Sequence, residues 1–503
     1  MRRYLLSLDN GGTYIKAALL DTAGRQIGIA KQHNGVINLG DGLIEFDQEQ
    51  LWETNCRCIR EVLRETGVNP AEIACVGFAG QGKGLYMVDR EGRCFRNAIT
   101  SSDSRAEEYC RIWQADGTAE RMFPKVFQYP VPGQTVPLLR WLKDHEPENY
   151  ARIGYVFSMK DYLFYRLTGK PIAGKGSQSG TLLVNLLTQD YDPELLDAFG
   201  IPEIQSRLPE LKWDTELCGG VSEEAAAVCG LCADTPVSAG MFDVDASALA
   251  MGVADPKDMF SIFGTCGVNG YISRTPVTNR SVSFNSLYSL EDTYLIEEGS
   301  NASSGVLEWV LKVLFNGSDD AAYQTVNAMV DVDPETDDHL VFLPSLTGFL
   351  HGGKGSIYSR GAWIGLSPEH DRAQLLRAVY EGVVFTHMIQ LSHLLANRER
   401  PEKIRVAGGA TGSRVWMQMY ADALQIPVEI EENCEMGPKG VAIASAVAAG
   451  IYSDIHEAVR SMTRPGVLIQ PRAEYAGVYS RKFERFRKIM EVMDAAWPVL
   501  RDQ

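Results

Sequence analysis

No apolar run in this 503-residue sequence is long enough to cross a membrane: the longest nearly apolar stretch, Val441 to Ile451, is well short of the roughly 18 residues such a helix needs. Dense Lys/Arg runs are missing too. With 48 basic against 65 acidic residues and a net charge of −17, the chain lacks the positive footprint that nucleic acid or an anionic membrane surface selects. Both are excluded as partners, and an anionic ligand needs local cations. The opening MRRYLLSLDN has only a brief apolar run and no small-residue cleavage site after it, so it reads as a first strand rather than a signal, and a cytoplasmic location is expected. The ten cysteines form no disulfide framework. Cys229 and Cys232 make one CxxC with neither a second CxxC nor a nearby His to complete a zinc site, and Cys56 and Cys58 sit on a helical pattern, so reduced packing thiols are expected. Low-complexity linkers and short repeats are absent. A chain of this length exceeds a single core, so two large domains and a cleft are expected, with the junction a hinge near 245 to 255.

A complete P-loop is also lacking. Gly77 and Gly82-Lys83 imitate GxxxxGK after a strand, but Gly84 stands where a Ser or Thr must reach Mg²⁺, and GFLHGGKG from Gly348 fails in the same way at Gly355. What the chain does carry is LSLDNGGTYIKAALLD at its start. Two strand-like runs, Leu5 to Leu8 and Ile15 to Leu20, flank a turn in which Gly11 and Gly12 let backbone amides approach an anion. Asp9 ends the first run, Thr13 offers a hydroxyl and Lys16 a cation, a combination suited to phosphate plus Mg²⁺. The same Asn-Gly also makes an ordinary hairpin. Asp47 caps a helix that Gly67 stops. A buried strand from Ile73 to Phe78 then leads into a glycine-rich loop. In TSSDSR, Asp103 and Arg105 stand at a helix start, where capping is the competing role. TPVSAGMFDVDASALAMG places Asp243 at a strand-to-helix junction, where α/β proteins hold ligands, while Asp245 caps or decorates the helix. DMFSIFGTCGVNGYISR repeats the opening grammar around Gly264-Thr265-Cys266-Gly267, suggesting duplicated lobes gripping one polyphosphate. RVAGGATGSRVW brings a third pair, Gly408 and Gly409, after a strand. GPKGVAIASAVAAG is small and apolar enough for a tightly packed core helix.

Taken in order, LDNGGT, AGQGKG, SSDSR, GMFD, FGTCG, SRGAWIGL with HDRAQLLRAVYEGVVF, and AGGATGSRVWMQMYAD resemble the FGGY carbohydrate kinases across essentially the whole chain. The resemblance implies an α/β fold of two actin-like domains (ribonuclease H-like, of the hexokinase/Hsp70 superfamily) around a central cleft. Residues 1–246 would bind sugar and 247–503 ATP. It implies Asp243 as general base and sugar contact, with an ordinary pKa of roughly 4, and Asp9 together with Asp243 holding Mg²⁺ through water. Gly11, Gly12, Thr13, Lys16, Gly264, Thr265 and Gly267 would surround the ATP phosphates, and Gly408, Gly409, Ala410 and Ser413 the adenosine. Gln81, Gly82, Lys83, Asp103 and Arg105 would contact the sugar. Family habit implies a homodimer.

AGQGKG, SSD-x-R, LLRWLKDHEPE and GMFDV are most similar to segments of kinases for L-xylulose, so a ketopentose phosphorylated on its terminal hydroxyl is the expected acceptor. Cys266 replaces a usual Ser and Ala410 a third Gly, neither of which removes a charge. Lys83 stands where relatives carry His or Arg, the aromatics usual before the SSD-x-R acid are absent, and Phe349-Leu350 replace a common Glu-Arg pair. These departures fall where the sugar is selected, leaving another pentulose, a hexulose or a polyol as alternatives. From a different class, the alternatives are a non-catalytic sugar sensor, which has no need of Asp243, and an Hsp70-like ATPase.

Overall fold

The computed structural model describes residues 3–315, 317–335, 339–346, 348, 359–431 and 435–500. Two seven-stranded sheets repeat one plan. In the first, Tyr4–Asn10, Tyr14–Asp21 and Gln26–His33 form an antiparallel meander, and Tyr4–Asn10 pairs in parallel with Ile73–Gly80, which in turn pairs with Pro236–Ser238 and Met241–Phe242. In the second, Met259–Phe263, Gly267–Ser273 and Tyr294–Ser300 form the meander, followed by the parallel strands Ile404–Ala407 and Val428–Ile430. The repeat read from two glycine turns is therefore a repeat of topology.

The first strand is buried almost throughout, because both of its faces are covered. Side chains alternate across a strand. Leu6 and Leu8 share one core with Ile59 and Val62 of the Gln48–Thr66 helix, while Leu5 joins the opposite core with Val441 and Ala444. The expected punctuation of the first helix is present: Asp47 accepts from Glu49 N and Gln50 N, and Gly67 closes it in the left-handed region at φ 65°.

The opposite face is covered by the Met436–Ala448 helix, from far along the chain, which lies against both Tyr4–Asn10 and the Asp243–Ala250 helix. Its small residues have a steric cause. A β-carbon on Gly440 would stand 1.8 Å from the Ala246 carbonyl oxygen, and one on Gly77 would stand 2.2 Å from Ser445 Oγ. Residues 251–258 connect the sheets directly beside this shared core, and among the described residues no helix is long and apolar enough to cross a membrane.

Two sequence expectations fail here. Asp103 and Arg105 do not begin a helix: the next one runs Glu107–Ala115 without a side-chain cap. Asp103 accepts instead from Ile44 N at 2.6 Å and from Arg105 Nε and Nη2 at 2.9 and 2.8 Å, because a buried carboxylate is best satisfied by a bidentate guanidinium. Nor does Asp245 decorate a surface. It is fully buried at the seam between the two sheets, where Ser289 Oγ donates to Asp214 Oδ2 at 2.6 Å and lies 3.4 Å from Asp245 Oδ2.

Burial pushes Asp214 up to about 7. Between roughly pH 4 and 7 the folded chain thus holds a proton at Asp214 that the unfolded chain has lost, so the share of stability that Asp214 governs is fullest below pH 4 and falls as pH rises towards 7. Asp214→Asn removes that loss while keeping an acceptor for Ser289. It should raise the melting temperature at pH 8 by at least about 2 °C and leave it nearly unchanged at pH 4, as calorimetry at the two pH values would show.

Candidate active site

Parallel pairing aligns the carboxyl ends of three strands, and the two key acids follow from that. Asp9 precedes the last residue of Tyr4–Asn10 opposite Ala79, and Asp243 follows Met241–Phe242, whose residues pair with Ala79 and Gly80. Asp9 is 6% exposed, and Lys16 Nζ stands 3.5 Å from its Oδ2. Gly437 brings the core helix against this carboxylate so closely that a β-carbon would lie 2.5 Å from Oδ2. Lys16 also donates to Glu435 Oε2 at 2.9 Å, and Lys31 bonds the other oxygen. Burial works against the Lys16 charge, yet Asp9 and Glu435 together hold its pKa above the usual value. The cation expected from sequence is therefore fixed in place beside the acid.

Asp243 departs from the sequence expectation. Burial first, then the Asp9 and Glu297 charges, push its carboxyl up to about 7 rather than leaving it an ordinary aspartate. Among the described residues no other side chain hydrogen-bonds it and only the Val244 backbone amide favours its charged form, so the carboxylate keeps capacity to accept a proton.

The two glycine turns each join a pair of antiparallel strands but are braced by different contacts. In the first, Gly11 N donates to Tyr14 O at 3.0 Å, Asn34 bonds the carbonyls of Gly11 and Gly12, and Gly12 has open space on its β-carbon side. In the second, Ser304 N donates to Gly264 O at 3.1 Å, Cys266 Sγ donates to Asn301 Oδ1 at 3.3 Å, and a β-carbon on Gly267 would strike His387 at 2.9 Å. His387 is a residue that the sequence did not reveal. It is stacked 3.7 Å from the Phe263 ring and lies within hydrogen-bonding distance of Ser303 and Asn269, and burial lowers its pKa to about 3, making it a neutral buttress for the turn. Gly408, at φ 104°, lies against Gly264, since a β-carbon there would stand 2.9 Å from Gly264 N; the third glycine pair and the second turn are thus neighbours. Gly409 faces open space. Ala410 packs into the core, and Ser413 caps the Arg414–Leu424 helix while donating to Asn327 at 2.6 Å.

On the other side of Asp243 is a small cavity lined by Gly82, Lys83, Phe242, Phe284 and Glu297, among others. Lys83 Nζ stands 3.7 Å over the Phe284 ring, and burial lowers its pKa although Glu297 and Asp243 oppose that shift. Gln81 accepts from Ser101 Oγ at 2.9 Å. Asp103 and Arg105 are already engaged with each other, and Arg105 Nη1 also meets Glu45 at 3.0 Å, so this pair braces the loop that carries Ser101. Glu297, Phe284, Ser177 and Ser286 are cavity residues that sequence reasoning missed. The one available signal was a pair of glutamates in the otherwise largely apolar strand YLIEEGS. Residues 349, 350 and 355 of the sequence expectations lie outside the described residues.

As donor sets, Asp9 and Asp243 offer the hard carboxylate oxygens that Mg²⁺ prefers alongside water and phosphate. Chemically the arrangement brings a small polar cavity, a carboxylate that no other side chain engages, a fixed cation and two glycine turns together, which suits transfer of a phosphoryl group to a hydroxyl.

Comparison with known proteins agrees. The profile of the FGGY family of carbohydrate kinases, N-terminal domain, matches residues 4–250, and that of the C-terminal domain matches residues 259–449. The chain is 36% identical to the L-xylulose/3-keto-L-gulonate kinase of Escherichia coli (strain K12), over 98% of each chain. It is 31% identical to the probable L-xylulose kinase of Pasteurella multocida (strain Pm70), over 98% of this chain and 99% of that one. The crystal structure of xylulose kinase from Rhodospirillum rubrum superposes with a TM-score of 0.86 at 26% identity, over 98% of this chain and 100% of that one.

Proposed function

The chain belongs to the FGGY family of carbohydrate kinases, and from that premise we propose that it transfers the γ-phosphate of Mg-ATP to the terminal hydroxyl of L-xylulose, giving L-xylulose 5-phosphate and ADP. The observation that carries this reading is Asp243: a carboxylate that no other side chain hydrogen-bonds, between the Lys83 cavity and the glycine turns. The printed activities of the similar kinases from Escherichia coli and Pasteurella multocida support the choice of sugar.

In this reading residues 1–246 supply most of the acceptor cavity and 247–503 most of the nucleotide site. Asp243 accepts the proton of the 5-hydroxyl as the new O–P bond forms and the bond from the γ-phosphorus to the bridging oxygen of ADP breaks. Lys16 neutralises phosphate oxygens, while the amides of Gly12 and Thr13 and the Gly264, Thr265 and Gly267 turn face the phosphates, Gly11 closing the first turn by donating to Tyr14 O. The segment from Gly408 to Ser413 borders the adenosine; Gly409 gives the close approach, and Ala410 and Ser413 hold the backbone in place. Asp9 and Asp243 would hold Mg²⁺ through water, and the ion when bound neutralises charge on the transferred group.

Incubation with Mg-ATP and L-xylulose should give one new phosphate monoester whose ³¹P signal couples to the C5 protons. A signal coupled at another carbon, or a product formed only from hexuloses, pentitols or glycerol, rejects L-xylulose 5-phosphate.

A further inference from the structure

The acceptor cavity contains more polar capacity than the protein itself uses. Gln128 is spent: it donates to Ser179 O at 2.9 Å and accepts from Gln134 at 2.9 Å. Ser177 Oγ, Ser286 Oγ and Glu297 Oε2, by contrast, are buried without a hydrogen-bond partner. These residues are 1%, 4% and 6% exposed, and orphaned polar atoms at such depth are costly unless something else satisfies them. Lys83 Nζ, held over Phe284, likewise donates no hydrogen bond among the described residues. Ser286 and Glu297 come from the strands Phe284–Leu287 and Tyr294–Ser300 of the second sheet, whereas Lys83 and Ser177 come from the first half of the chain.

We propose that Glu297 is a specificity-determining residue, whose carboxylate accepts a hydrogen bond from an acceptor hydroxyl and so brings the second half of the chain into acceptor selection. A carboxylate needs a donor, and an acceptor hydroxyl reaching into the small cavity between Glu297, Ser177, Ser286 and Lys83 supplies one. Lys83 contributes the complementary donor, to a hydroxyl or carbonyl oxygen. Acceptor binding then requires both halves to be in place, which links it to closure of the cleft.

This inference rests on the ketose kinase reading, and one experiment separates the two. Wild type, Glu297→Gln and Glu297→Ala are assayed with L-xylulose and its monodeoxy analogues, with KM for Mg-ATP and the melting temperature measured alongside. Both variants should raise the acceptor KM by about 10- to 100-fold and leave the ATP KM within about twofold. One deoxy analogue should lose at least tenfold in kcat/KM against L-xylulose with wild type, yet be used as well as L-xylulose by Glu297→Ala; a merely structural role would not abolish that difference. Wild-type turnover with the same deoxy penalty in all three proteins overturns the assignment of Glu297 alone. No turnover of any ketose by wild type overturns the underlying reading and the inference with it.

Discussion

Asp243→Ala should lower sugar-dependent turnover by about 10²- to 10⁴-fold, the range that a positioned general base supplies. Nucleotide affinity should stay within a few-fold, because the glycine turns and Lys16 are untouched. The separation is informative because Asp243 is the first residue of its helix, follows a two-residue strand and, among the described residues, is hydrogen-bonded by no other side chain. Truncation therefore removes chemistry with little structure. Its pH behaviour gives a second test of the same residue. With the carboxyl pushed up to about 7 by burial, the free enzyme loses its base as pH falls through 7, so kcat/KM for sugar should drop about tenfold per pH unit below that point. A cation bound beside Asp9 favours the ionised form, which moves the corresponding limb of kcat to lower pH. Retained turnover in Asp243→Ala, or loss of nucleotide binding together with turnover, would remove Asp243 from the base role.

Asp9→Asn should be nearly as damaging, for a different reason. The change preserves shape beside Gly437 but removes the charge that meets Lys16 and would hold Mg²⁺. Turnover should fall by about 10²- to 10³-fold, consistent with several kcal/mol of lost charge stabilisation. Sugar binding, measured calorimetrically without nucleotide, should be unchanged, and affinity for ATP should no longer respond to added Mg²⁺. A variant with intact Mg²⁺ dependence would show that Asp9 serves the fold rather than the metal.

Local grammar was legible in the sequence wherever it had local causes. The Asp47 and Gly67 caps, the twin glycine turns and the position of Asp243 after a strand all follow from neighbouring residues, and each stands where expected. The small-residue helix Met436–Ala448 was also readable, because close backbone approach restricts side-chain size whatever the partner. What escaped depended on residues distant in the chain. Asp103 is satisfied by Ile44 N as well as by Arg105, Asp245 is buried by Asp214 and Ser289, and Glu297 enters the cavity from a strand more than two hundred residues after Lys83. The raised pKa of Asp243 has the same origin, since no local pattern reports that Asp9 and Glu297 will share its enclosure.

The most direct test of the account is the initial rate of ADP release from Mg-ATP by the wild-type protein, with and without L-xylulose. A rate that rises by orders of magnitude with the sugar, with one phosphate ester formed per ADP, is the predicted result. An unchanged rate, with ATP hydrolysed equally well in the absence of sugar, would contradict phosphoryl transfer to this acceptor.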